Sequence, residues 1–218
     1  LFRSLEVITG TFNAEDGQAM SGVVNVVSKD PESFFTGTFS AYTGAYVSNR
    51  QIPFVTKSGT GLKREDYHQE WRSYLDLASP TDAVNFEGNL SGPVWKNRLS
   101  FFSSFRYIQD DGYFWGRRIF TPADSSYLPL LQENWRVDAG GDGAFVPMGW
   151  NKSLTGHGKL IIKPWGSHKI TYEYIRENGS GQSYSHKYKY NPDGRPTYYS
   201  TSNSHMVHAD YIINKNGF

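Results

Sequence analysis

Alternation of apolar and polar residues with a period of two runs through most of this chain and commits it to extended structure. In Val84-Asn85-Phe86-Glu87-Gly88-Asn89-Leu90-Ser91-Gly92, the Val, Phe, Leu and both Gly share one face, while Asn, Glu, Asn and Ser share the other. That is the side-chain geometry of a strand. After a polar connection, Trp95-Lys96-Asn97-Arg98, the segment Leu99–Tyr107 groups Leu99, Phe101, Phe105 and Tyr107 on one face. The two segments read as a hairpin. Leu154–Ile162 and Ile170–Tyr174, on either side of Pro164-Trp165-Gly166-Ser167, read as a second hairpin, and Phe35–Tyr42 and His205–Ile213 bring the total to about six strands. Aromatic residues at 16%, led by 15 Tyr, favour the same structure.

The connections alternate in length. Polar stretches at about 47–82, 110–150 and 180–200 are separated by tight turns. Long loops without structure are uncommon in compact domains, but a transmembrane β-barrel has long loops on one side and short turns on the other. No run reaches the ~18 apolar residues of a membrane helix, which leaves strand crossings open. A soluble β-sandwich also alternates, with its apolar faces turned inward. Here the opposite face carries Asn85, Glu87, Asn89, Arg106, Lys159, Glu173 and Asp210, as a wet lumen requires. On the barrel reading Val84, Phe86, Leu90, Leu99, Phe101, Phe105, Leu160, Ile162, Tyr172, Tyr174, Val207, Ala209 and Tyr211 face lipid.

The first thirty residues differ. Ser4-Leu5-Glu6-Val7-Ile8-Thr9-Gly10 precedes Thr11-Phe12-Asn13-Ala14-Glu15-Asp16-Gly17-Gln18-Ala19-Met20-Ser21-Gly22 and then Val23-Val24-Asn25-Val26-Val27-Ser28-Lys29. This resembles the last part of the plug of a TonB-dependent outer-membrane receptor. Asn89-Leu90-Ser91-Gly92-Pro93-Val94 followed by Phe101-Phe102 is similar to a hairpin of the same family, especially the Bacteroidota-like type with a carboxypeptidase-regulatory-like N-terminal domain. Asp16 stands in place of the usual aromatic, Ser21 in place of Gly and Ser28 in place of Thr.

The resemblance implies an all-β fold, a fragment of a plugged transmembrane antiparallel barrel. Residues 1–30 would end the plug and 31–218 would begin the barrel, supplying about six of roughly 22 strands. Some sixteen more would lie beyond Phe218, the start of a seventh strand after the turn Asn214-Lys215-Asn216-Gly217, and the segment that touches TonB would lie upstream of Leu1. Leu5–Lys29 would sit inside the barrel wall. Implied with it are a bacterial outer-membrane location, contact with outer-membrane lipid, active import of a scarce or large ligand, the TonB–ExbB–ExbD complex as energising partner, and room for a surface lipoprotein partner. The alternative class is a soluble or surface-attached β-rich binding or adhesion module.

Little in the sequence points to catalysis. With no Cys and no Gly-x-Ser-x-Gly, His-Glu-x-x-His or phosphate-loop pattern, no enzyme activity and no cofactor are expected. His205 and His208 fall on opposite faces of a strand. Asp138 and Asp142, in a glycine-rich loop, form a weak calcium candidate that lacks the distal bidentate Glu. A net charge of +1 supplies no field for nucleic acid, and Lys187-Tyr188-Lys189-Tyr190 reads as a strand end and loop. For ligand contact, the candidates are Tyr113, Trp115, Arg117 and Arg118, since aromatic faces stack on sugars or peptides and guanidinium groups clamp anions. The competing reading places these aromatics in an outer membrane girdle.

Overall fold

The computed structural model describes residues 2–8, 23–28, 30–31, 33–57, 66–96, 98–131, 136–165 and 168–211. In chain order its strands are β1 (Phe2–Ile8), β2 (Val23–Ser28), β3 (Thr36–Gly44), β4 (Gln51–Lys57), β5 (Tyr67–Ser73), β6 (Ala83–Trp95), β7 (Leu99–Asp110), β8 (Trp115–Arg117), β9 (Ser126–Tyr127), β10 (Arg136–Val137), β11 (Phe145–Pro147), β12 (Asn151–Ile162), β13 (His168–Gly181) and β14 (Tyr198–Tyr211). One short helix, α1 (Tyr74–Leu77), follows β5.

The fold is all-β. Its frame is a six-stranded antiparallel sheet in the order β14-β13-β12-β7-β6-β3, and these are the six strands that alternation predicts. The sheet is not a closed barrel: β3 and β14 are its edges. Its register is continuous except between Pro93 and Trp95, beside the proline that has no N–H to give the ladder. The segment that resembles a plug forms an antiparallel pair of β1 with β2, from Phe2↔Ser28 to Ile8↔Val23. The glycines of that motif and the turn expected at Asn214–Gly217 lie outside the described residues.

Burial on the sheet runs opposite to that of a soluble protein. One face carries the row Gly92–Phe101–Leu160–Tyr172–Val207, and beside it Leu99–Ile162–Ile170–Ala209. Among the described residues no second sheet covers this face. Phe39 (67% exposed), Leu90 (49%), Phe105 (46%) and Val207 (72%) stand in the open. Phenyl rings lie over its glycines: Phe35 covers Gly92, and Phe105 and Phe39 cover Gly88, closing the gaps that missing side chains would leave. The opposite face holds Asn85, Ser91, Ser104, Lys159 and Thr171, all buried, together with Phe102 and Ile161.

The polar groups on that second face find one another. Lys159 Nζ lies 2.9 Å from Asp30 and 3.4 Å from Glu173, and His157 Nε2 lies 3.1 Å from Glu173. Asp30 follows the β2 segment by two residues, so this network fastens the entry of the chain to the wall of the sheet. Thr36 bonds Ser91 at 2.9 Å, and Asn85 donates to the Tyr42 hydroxyl. Each buried polar group so paired avoids the desolvation penalty of an orphan.

Candidate functional site

The two tight turns lie at one end of the sheet, and at the other the described parts of the three long connections, within 45–82, 111–150 and 182–197, fold together into a platform. Each has local order. The first is a β4–β5 ladder followed by α1, whose first turn is closed by a capping box: Asp76 N–H donates to Ser73 Oγ (3.2 Å) and Ser73 N–H to the Asp76 carboxylate (2.9 Å). The second contains the ladders β8–β11 and β9–β10. The third winds through 3-10 turns at His186–Tyr188 and Pro192–Gly194.

The largest fully buried side chains among the described residues, Phe54, Met148 and Pro192, come one from each loop. Phe54 meets Phe145 edge-on at 4.9 Å between centroids. Backbone bonds join the loops: Arg117 N–H donates to Lys189 O (2.8 Å), and Phe120 N–H to Tyr190 O (2.9 Å). Gly116 is required where it stands, because a Cβ there would meet Met148 Sδ, Pro192 and Lys189 O within 3 Å.

Two of the predicted contact residues serve this assembly. The Arg117 guanidinium pairs with Glu70 and lies 5.0 Å from the Phe145 ring centroid, joining the second loop to the first. Its hydrogen bond holds the Glu70 carboxyl below the usual carboxylate range, and Arg72 adds to the effect. Arg118 lies 2.5 Å from Asp193 and 3.0 Å from Asp142, joining the second loop to the third. Asp193 is the main reason its guanidinium is raised above the ordinary arginine value. Asp142 is held low first by the Ala144 N–H and then by Arg118, so a cation at this carboxylate would have to displace a guanidinium. Asp138 accepts from Ser125 Oγ at 2.9 Å. Among the described residues no cluster of three His, Cys, Asp or Glu could hold a metal ion. Trp115 is half-buried in β8 opposite Pro147.

Tyr113 has a different setting. With Tyr46 it lines two adjoining cavities, of about 500 and about 350 Å³. The larger adds Arg50 and Tyr74, and the smaller adds Phe114, Trp150, Tyr184 and Tyr198. The rings form a chain across the loops: Tyr46 to Tyr113 at 5.9 Å, Tyr113 to Phe114 at 4.3 Å, and Phe114 stacked on Tyr184 at 4.0 Å. Burial pushes the Tyr184 phenol up from its ordinary value.

The floor of this groove continues the polar face of the sheet. Asp110, Asn151, Gly181 and Tyr198 form one row of that face. Tyr46 donates to both Asp110 oxygens at 3.0 Å, which raises its phenol pKa, and Tyr198 donates to Asn151 at 3.3 Å. The Tyr198 ring fits because Gly181 has no side chain, since a Cβ there would lie 2.3 Å from its hydroxyl. Asp111, beside the groove, has a carboxyl raised by burial. Arg50 makes no ion pair with the described residues. The groove therefore offers aromatic faces, phenol and amide hydrogen bonds and one guanidinium, the chemistry that holds sugars, peptides and planar ligands.

Sequence reasoning reached Tyr113 but missed Tyr46, Tyr74, Tyr184 and Tyr198. The density of tyrosines in all three loops was the available signal. No protein-family model, curated protein or solved structure matches the chain.

Proposed function

We propose that this chain forms part of a plugged outer-membrane β-barrel that imports a ligand, with the six-stranded sheet in the barrel wall and the three-loop platform outside. The observation that carries the reading is the inverted burial of the sheet: an open apolar face, and a polar face whose central residues Asn85, Ser91, Ser104, Lys159 and Thr171 are buried. In water, an apolar surface of this extent is an aggregation hazard, whereas lipid is the solvent it fits. The upper edge of the apolar band also runs obliquely across the ladder. It ends at Val84 on β6, Tyr107 on β7, Leu154 on β12, Tyr174 on β13 and Val207 on β14, and gives way to Arg176, Asn178 and Asn203. Tilted strands crossing a flat hydrocarbon layer produce such a boundary.

On this reading a ligand docks in the aromatic groove, above the polar face that lines the lumen. The plug, to which β1 and β2 belong, is then remodelled by a pull from TonB–ExbB–ExbD, opening a path along that face. The sequence resemblance supplies the energising step, and the loop geometry supplies the binding step.

Fractionation of the intact protein tests the reading. It is expected to sediment with outer membrane, to resist a high-pH carbonate wash and to be released only by detergent. Recovery in the soluble or carbonate-washed fraction would instead assign the chain to a β-rich binding or adhesion module.

A further inference from the structure

A third cavity on the platform, of about 520 Å³, opens between β4, β5 and the third loop, apart from the mouth groove. Phe54, Tyr67 and Tyr190 wall it, His68 and His186 stand exposed in its lining, and Lys189 reaches it from the interior. Among the described residues that line it, none is an Asp or a Glu.

Lys189 is the unusual member. Its side chain is buried, with the residue 8% exposed. Its Nζ spends one donor on Pro53 O at 2.5 Å and otherwise faces aromatic rings, with the Phe54 centroid at 4.5 Å and that of Tyr190 at 5.8 Å. No carboxylate among the described residues pairs with it. A buried ammonium group without a counter-ion is costly, and a packing role alone would be met by methionine of similar length without that cost. Tyr190 adds a second donor, because its oxygen already accepts from Val55 N–H (3.0 Å) and so leaves its own proton to give.

We propose that this cavity binds the carboxylate of a ligand, with Lys189 as its ion-pair partner, the Tyr190 hydroxyl as a second donor and the two histidines at the rim. Aromatic walls around a single cation suit a carboxylate attached to a compact body. Two sources carry that group in a form of this size: the free C-terminus of a short peptide and the acid group of a uronate sugar. The site does not rest on the membrane reading, since a soluble module with the same loops would bind the same group.

Titration calorimetry on the intact protein, with two matched pairs of probes, tests the proposal. N-acetyl-trialanine is compared with its C-terminal amide, and digalacturonate with neutral galactobiose. In at least one pair the acid is expected to bind ten-fold or more tightly than its neutral partner, and the pair that shows the preference identifies the source. Lys189→Met is expected to abolish the preference for the acid over its neutral partner. Combined His68→Gln and His186→Gln, at exposed positions, is expected to weaken the acid three- to ten-fold. Equal binding of acid and neutral probe in both pairs overturns the proposal. So does a preference that survives Lys189→Met or, where that variant does not assemble, one that survives the double histidine change.

Discussion

Arg117 and Glu70 join two loops through side chains that are only 15% and 24% exposed, so their pairing is partly shielded from water. Arg117→Ala leaves Glu70 with Arg72 alone and removes a cation from the Phe145 ring. The expected loss is about 1–2 kcal/mol of platform stability, between an exposed and a buried pair. Faster protease cleavage within 45–82, with the sheet still intact, would register it. The pH dependence has a definite sign. Arg117 holds Glu70 below its ordinary value of 4.5, so the folded state binds fewer protons than the unfolded one. That contribution is complete above the ordinary value and disappears as pH falls through the lowered one. The platform is therefore expected to loosen on acidification, and Glu70→Gln to flatten this response in the same protease assay. Gly181→Ala drives a methyl group into the Tyr198 hydroxyl and to 2.9 Å from Trp150 O. A destabilisation of about 1–3 kcal/mol follows from overpacking, with loss of the Tyr198–Asn151 bond. Thermal unfolding compared with Tyr198→Phe separates the clash from the hydrogen bond.

Individual strands have a directional tolerance. Phe101 sits in the apolar row between Gly92 and Leu160, whereas its neighbour Ser100 points to the polar face opposite Ile161. If lipid covers the apolar face, Phe101→Arg costs ~2–4 kcal/mol near the midplane, and Ser100→Thr costs little. The amount of heat-modifiable, folded protein in the membrane measures both. Equal assembly of Phe101→Arg and wild type would remove lipid from that face. The short elements of the loops follow other rules. The β8–β11 and β9–β10 ladders have three and two residue pairs respectively, too few to be stable alone. The β8–β11 ladder persists because Met148 and Pro192 pack against Gly116 and Phe54 against Phe145.

On the proposed membrane reading the molecule has two parts built on different solvents. The sheet keeps its apolar residues on its open face and the Lys159 ion pairs on the other, and the platform has a small conventional core. This division separates assembly from recognition: substitutions in the groove leave the apolar face of the sheet untouched. If the chain imports a ligand as proposed, Tyr46→Ala with Tyr113→Ala is expected to lower uptake at least ten-fold at unchanged abundance of folded protein, because both rings line both cavities of the groove. Whole-cell uptake normalised to folded receptor checks this. The pair Trp115→Ala and Arg117→Ala, attractive from sequence, is expected instead to disturb the platform, since Arg117 is engaged with Glu70.

The sequence by itself determined the strands of the sheet, their order as consecutive hairpins and the face each residue takes. All of these depend on the two-residue period and on short turns, which are local. Phe102 illustrates the reach of that rule: parity sets it apart from Phe101 and Phe105, and it is buried on the polar face. Only tertiary structure decided what the long loops do. Residues 47–82, 110–150 and 180–200 read as polar connections because their strands carry no clean two-residue alternation and the contacts that join one loop to another are distant in sequence. The bond from Val55 to Tyr190 spans 135 positions. For the same reason Arg117 and Arg118 looked free to clamp a ligand, while Glu70 and Asp193, 47 and 75 residues away, already held them. Lys189 belonged in the sequence to a basic-aromatic run read as a strand end and loop, and became a buried cation only when Pro53 and Phe54 closed over it. Periodicity encodes which way a side chain points along its own strand; which side chain it meets across three loops depends on chain segments that no local pattern joins.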